Sequence, residues 1–224
     1  MFYTNADQLV NKRDDLCMAI VGTDTDIILV TEVILKAQVI PIAPALLEVP
    51  GFVCFPSFDL SERNLGAKGA RGVCAYVRHG IHATEIHFTA SQFREQIWLQ
   101  VKLRGSDQLL VGCIYRSPSG DPHLSVQALA DLFHIVSATN PSHLVIAGDF
   151  NLHLINWSLS FCPAPDSHYA HRFLNVVQDC LLFQHITCPT RYRDGVLPSV
   201  LDLVLSNEEG MISNLKYLPC LAVS

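Results

Sequence analysis

The chain is poor in positive charge: 15 Lys and Arg stand against 21 Asp and Glu among 224 residues, a formal net charge of −6. Non-specific grip on nucleic acid comes mainly from Lys and Arg neutralising phosphates. A broad basic binding face is therefore excluded, and any polyanion has to be met locally or with the help of cations. No apolar run approaches the roughly 18 residues of a membrane span, and the N-terminus shows no basic stretch leading into an apolar one. Eight cysteines occur without one C-x-x-C pair, and ten histidines without an H-E-x-x-H or a close Cys/His grouping. Structural zinc and a disulfide framework are both disfavoured. Cysteines inside apolar runs such as Val111-Gly112-Cys113-Ile114-Tyr115 read instead as reduced core thiols. The expectation is a soluble intracellular chain, nuclear or cytoplasmic, with no membrane partner. Internal repeats, long low-complexity tracts and linkers are missing too, so residues 1–224 read as a single domain.

What is present is apolar: half of the residues are hydrophobic and 16% are charged, enough for a large buried core in one α/β domain. Short apolar or β-branched runs bounded by Gly, Pro, Asn or Asp predict strands at Ile27–Thr31, Gly72–Val77, Gln96–Leu103, Leu109–Tyr115, His143–Ala147 and Val200–Leu205. Arg104-Gly105-Ser106-Asp107 reads as a hairpin turn. Helices are expected over Ala6–Met18, Leu124–Ser137 and His168–Cys180. The second carries Leu124, Ala128, Leu129, Leu132, Phe133 and Val136 at helical spacing, a stripe for core packing. Gly66-Ala67-Lys68-Gly69-Ala70-Arg71-Gly72 lacks the G-x-x-x-x-G-K-[ST] pattern of a phosphate-binding loop and reads as a mobile, locally basic surface loop.

Four strands end alike, with polar groups just past the apolar run, and ligands of α/β sheets gather at such strand ends. Ile27-Ile28-Leu29-Val30 leads into Thr31-Glu32, and Val111 to Ile114 into Tyr115-Arg116-Ser117-Pro118. Leu144 to Ala147 leads into Gly148-Asp149-Phe150-Asn151, and Asp202 precedes Leu203-Val204-Leu205. Glu32 suits Mg²⁺, a hard cation that takes oxygen ligands and keeps several waters. Asp149 could orient or deprotonate a water, while Asn151 and Tyr115 could donate to a phosphoryl oxygen. Together they compose a metal-assisted phosphoester hydrolase site.

The ordered set Tyr3-Thr4-Asn5-Ala6, Asn11-Lys12, Thr31-Glu32, Gly72-Val73-Cys74-Ala75-Tyr76-Val77-Arg78, Tyr115-Arg116-Ser117-Pro118, Gly148-Asp149-Phe150-Asn151, Pro189-Thr190-Arg191 and Leu201-Asp202-Leu203-Val204-Leu205-Ser206-Asn207 resembles the endonuclease/exonuclease/phosphatase superfamily. More narrowly, it is similar to the apurinic-type endonuclease domain of LINE-type non-LTR retrotransposon polyproteins. The resemblance implies a four-layer α/β sandwich of the deoxyribonuclease I type, two mixed β-sheets packed face to face with helices outside. It implies a Mg²⁺ or Mn²⁺ site at Asn5 and Glu32, and a scissile phosphate at Tyr115. Asp149 and Asn151 would position the water and the transition state, and Asp202 would orient a catalytic histidine. DNA is the implied substrate and a C-terminal reverse transcriptase in the same polyprotein the implied partner. Both ends read as cuts through the domain: only Phe2-Tyr3-Thr4 follows Met1 before Asn5, and Ser224 stands where a Ser-Asp-His motif is expected. A chain without that histidine is expected to nick DNA poorly, and His153, though near Asn151, is not expected to replace it.

Each residue also has a plainer reading. Gly, Asp and Asn form ordinary turns, Glu32 could be a solvated strand end, and Tyr115 a packed aromatic. Asn5 could cap the helix expected from Ala6. Arg191 and Arg193 are candidate grips on a nucleic-acid backbone or ordinary loop arginines, and Trp98 and Trp157 read as packing residues. Two other functions remain open at this point: a phosphatase of the same superfamily acting on a small phosphoester, and a non-enzymatic relic fragment. Asp202, a carboxylate inside an apolar strand, needs a hydrogen-bond partner under either.

Overall fold

The computed structural model describes residues 1–35, 42–57, 71–193 and 195–221. Residues 66–70 of the glycine-rich loop and the final Ser224, both subjects of expectations above, lie outside the described residues.

Within a strand successive side chains point to opposite faces, so a run that is apolar at every position has to be covered on both sides. In β2 (Ile27–Thr31), Ile27 and Leu29 face one core while Ile28 and Val30 face another. β7 (Gln108–Tyr115), β8 (His143–Asp149) and β12 (Asp202–Ser206) divide in the same way. Their Leu110, Ile114, Leu144, Ile146, Leu203 and Leu205 point outward, and their Val111, Cys113, Val145, Ala147 and Val204 inward.

These strands lie in two mixed sheets. The smaller has the order β1-β2-β4-β3, adding β1 (Phe2–Asn5), β3 (Phe52–Ser57) and β4 (Val73–Arg78). The larger has the order β5-β6-β7-β8-β12-β9, adding β5 (Ala83–Glu85), β6 (Gln96–Lys102) and β9 (Phe183–Gln184). β1 runs parallel to β2 and β7 parallel to β8, the other pairs being antiparallel. The inward faces of both sheets meet in one shared core. α1 (Leu9–Ile20) covers the smaller sheet, and α2 (Pro122–Ala138) with α3 (Tyr169–Asp179) covers the larger. This is the four-layer sandwich that the resemblance implied. A separate ribbon, β10 (Arg191–Arg193) with β11 (Val196–Ser199), precedes β12.

Three local expectations are corrected. The first helix starts at Leu9, not Ala6, because Asp7 and Gln8 hold left-handed backbone angles (φ 40 and 83) that no helix accepts. Asn5 is therefore no N-cap; its Oδ1 accepts from the Asp7 amide at 3.1 Å in a tight turn. In α2, Asp121 caps the first turn by accepting from the amides of His123 and Leu124. Its buried stripe is Val126, Leu129, Ala130, Leu132, Phe133 and Val136, while Leu124 is 70% exposed. All eight thiols are free, but only Cys74, Cys113 and Cys162 are fully buried, and Cys188 and Cys220 are exposed. Trp98 and Trp157 are packing residues, edge-on to Phe88 and Phe173.

Candidate active site

Register puts the candidate residues in a row. Tyr115 pairs with Asp149 across β7 and β8, and Asp149 pairs with Asp202 across β8 and β12. In the smaller sheet Asn5 pairs with Thr31, and Glu32 follows at once. Because the two sheets are stacked, the rows face each other. Asn5 Nδ2 bridges them, donating to Glu32 Oε1 at 3.1 Å and to Asp149 Oδ2 at 2.9 Å. A second bond between the sheets runs from the Tyr3 hydroxyl to Asp202 Oδ1 at 2.6 Å.

Asp149 is 2% exposed, and burial, followed by the charges of Asp202 and Glu32, pushes its carboxyl up to about 8. Asp202 is raised too, chiefly by burial, with hydrogen bonds from Tyr3 and Thr190 opposing the rise. Burial, then the neighbouring carboxylates, holds the Tyr3 and Tyr115 hydroxyls in their protonated, donating forms. Glu32 and Asn151 sit in left-handed backbone conformations (φ 56 and 51) that non-glycine residues seldom adopt, the kind of local strain that gathers at functional sites.

The partner of Asp202 is thus Tyr3, and among the described residues no histidine touches this carboxylate. His153 is exposed, and His185 gives its Nε2 to the Ser206 hydroxyl at 2.7 Å. Thr190, one residue ahead of the β10–β11 ribbon, accepts the amides of Leu201 and Asp202, both at 3.1 Å. That bond ties the ribbon to the site, and the charge of Arg191 reaches Asp202. The side chain of Arg193 lies outside the described residues.

Four supporting residues escaped the sequence reading. Arg116, 4% exposed, donates through Nε to the Phe150 carbonyl at 2.7 Å and through Nη2 to that of Asn151 at 2.9 Å, while Asn151 Nδ2 returns a bond to the Arg116 carbonyl at 3.0 Å. The loop carrying Asn151 is stitched to the end of β7 in this way. Tyr3 and Arg116 stood inside motifs already noted, which was their only signal. Arg71, at the end of the loop read as mobile and basic, is itself fixed: it is 5% exposed, with Nη2 at 2.9 Å from Glu32 Oε2 and at 2.6 Å from Asp7 Oδ1. Glu95 accepts the amides of Arg71 and Gly72 at 2.6 and 2.9 Å, and no local pattern announced it.

The donor set fits a hard divalent cation. Glu32 and Asp149 turn carboxylate oxygens toward the same Asn5 nitrogen, although among the described residues no three His, Cys, Asp or Glu side chains form a cage. Mg²⁺ asks for no cage, since it is commonly held by one or two carboxylates and keeps its waters.

Residues 109–221 match the family model described as endonuclease-reverse transcriptase. Among curated proteins none matches the chain. Solved structures share its fold at low identity. The endonuclease domain of TRAS1, a telomere-specific non-LTR retrotransposon, superposes with a TM-score of 0.61 at 13% identity, covering 92% of this chain and 84% of that one. An AP endonuclease from Archaeoglobus fulgidus gives 0.60 at 15%, covering 92% and 85%. A variant of the 3′ phosphatase NExo from Neisseria, bound to a product DNA hairpin, gives 0.57 at 16%, covering 92% and 84%.

Proposed function

We propose, from the premise that this chain belongs to the endonuclease-reverse transcriptase family within the endonuclease/exonuclease/phosphatase superfamily, that it is a divalent-metal-dependent phosphodiester hydrolase whose substrate is DNA. The observation that carries the proposal is the Asn5 bridge, which gathers Glu32 from one sheet and Asp149 from the other beside Tyr115 and Asp202.

Glu32, with Asn5 beside it, would hold Mg²⁺ or Mn²⁺. A bound cation supplies charge stabilisation to the phosphate oxygens of the transition state. Asp149, in its carboxylate form, orients the attacking water and accepts a proton from it. Tyr115 has no hydrogen bond from its hydroxyl among the described residues, and it donates to a phosphoryl oxygen together with the free hydrogen of the Asn151 amide. Arg191 on the ribbon meets the strand backbone. The family description supports a reverse transcriptase in the same polyprotein as partner, and work on DNA would suit an intracellular protein, nuclear or cytoplasmic.

Proton delivery to the leaving group is the weak part of this site, because Asp202 is committed to Tyr3 and orients no imidazole among the described residues. Residues 1–224 are therefore expected to nick DNA slowly. Incubation with supercoiled plasmid and Mg²⁺ tests this. The expected result is slow nicking, lost with EDTA and lost in Asp149→Ala. Fast nicking that Asp149→Ala abolishes would overturn the impairment and leave the site intact. Nicking indifferent to Asp149→Ala would overturn the site, and turnover of a small phosphomonoester without nicking would shift the substrate.

A further inference from the structure

A buried charge has to be paired, and ordinarily its partner is a dedicated counter-ion. Among the described residues Arg71 has no such private partner. Its Nη2 lies between Asp7 Oδ1 at 2.6 Å and Glu32 Oε2 at 2.9 Å, so the more buried of its two carboxylates is also the candidate metal ligand. The Asp7 side chain is 65% exposed and that of Glu32 is 14% exposed. Water weakens the first interaction far more than the second.

Nothing about this placement is loose. Arg71 Nε donates to the Ile34 carbonyl at 2.8 Å, and the amides of Arg71 and Gly72 are both given to Glu95 Oε1. The guanidinium is held in the cleft from its backbone and from its stem. The carboxylate it touches, Glu32, belongs with Asp149 and Asp202 to a group whose negative charges already act on one another.

We propose that Arg71 is a built-in counter-cation: it neutralises the acidic cleft between metal-binding events and competes with the divalent ion for Glu32, so that it sets how tightly the site takes its metal. The inference rests on Glu32 being a metal ligand, as proposed above. Its physical core is that a fixed positive charge beside a ligand oxygen repels a second cation and occupies a lone pair that cation would use. A positioning role would have the opposite consequence, since removing a residue that aims Glu32 at the metal weakens binding.

Titration with Mn²⁺ alone, followed by electron paramagnetic resonance or calorimetry, separates these cases without any turnover. Arg71→Met is expected to bind Mn²⁺ about tenfold more tightly than the unaltered protein, and Arg71→Lys, which keeps the charge, within about threefold of it. Asp7→Asn leaves Glu32 as the guanidinium's one carboxylate partner among the described residues and is expected to bind about threefold more weakly. Unchanged or weaker binding in Arg71→Met overturns the inference. If Arg71→Met does not fold, Asp7→Asn decides, and unchanged or tighter binding there overturns it. An unaltered protein that takes up no Mn²⁺, or whose uptake survives Glu32→Gln, would overturn the metal site itself and this inference with it. Uptake lost in Glu32→Gln but indifferent to Arg71 removes the counter-cation alone.

Discussion

Glu95 is a half-buried carboxylate satisfied by two backbone amides, and burial pushes its carboxyl up to about 7, with the Arg71 and Gly72 amides opposing the rise. Its folded-state value thus lies above the ordinary 4.5, so between those two values the folded protein holds a proton that the unfolded chain has released. The stability contributed by the protonated form is complete below about pH 4.5 and is lost as pH rises through about 7. Urea midpoints measured in EDTA from pH 4.5 to 8 are expected to fall across that window, and to fall less in Glu95→Gln. Equal slopes in the two proteins would refute the assignment. Residues of this kind explain what the sequence could and could not disclose. Asp149 and Tyr115 close apolar runs and Asp202 opens one, so their chemistry is visible within a few letters. Glu95 acts on amides 24 and 23 residues away, and the hydroxyl that answers Asp202 is 199 residues off, at Tyr3. No local pattern encodes such partners.

The elements most legible in the sequence are those buried on both faces. β2, β7, β8 and β12 read as strands because each has to feed two cores at once. The edge strands β1, β3, β5 and β9 pair on one side only, and their residues are partly exposed. β3 even contains Pro56, which an edge strand tolerates because it need not donate a bond on its open side. At the centre of the sheet the tolerance is the reverse. A Cβ on Gly148 would overlap the carbonyl oxygen of Ile114, an atom of the neighbouring β7 backbone that no rotamer change can move aside. Gly148 is therefore required by the close approach of two strands, and the site depends on it, since Asp149 follows directly. Gly148→Ala is expected to cost about 2–3 kcal/mol, read from urea unfolding, because overpacking of this sort has to displace backbone. Gly210→Ala, where an added Cβ meets nothing within 4 Å, is the control and is expected to stay within about 0.5 kcal/mol. A loss at Gly148 no greater than at Gly210 would mean that β7 and β8 part easily.

At the scale of the whole molecule, each sheet supplies half of the candidate site. Asn5 and Glu32 come from the smaller sheet, Tyr115, Asp149 and Asp202 from the larger, and the shared core beneath them keeps the halves in register. The same molecule carries a net charge of −6, which sets how the proposed DNA contact can be made. Arg71 and Arg116 are spent inside the fold, while Arg191 on the ribbon is a cation whose charge reaches Asp202. A grip of two or three phosphates is what such a surface supports. Each neutralised phosphate contributes about −0.9 to the slope of log K against log salt. Binding of a duplex oligonucleotide, followed by fluorescence anisotropy at fixed Mg²⁺ over a range of KCl, is therefore expected to give a slope of about −2 to −3. Arg191→Ala is expected to make that slope shallower by about one. A slope steeper than about −6 would require a broad basic face, contrary to the charge of the chain. Loss of binding in EDTA would show that the cation bridges protein and phosphate, offsetting the repulsion that the acidic cleft otherwise imposes on DNA.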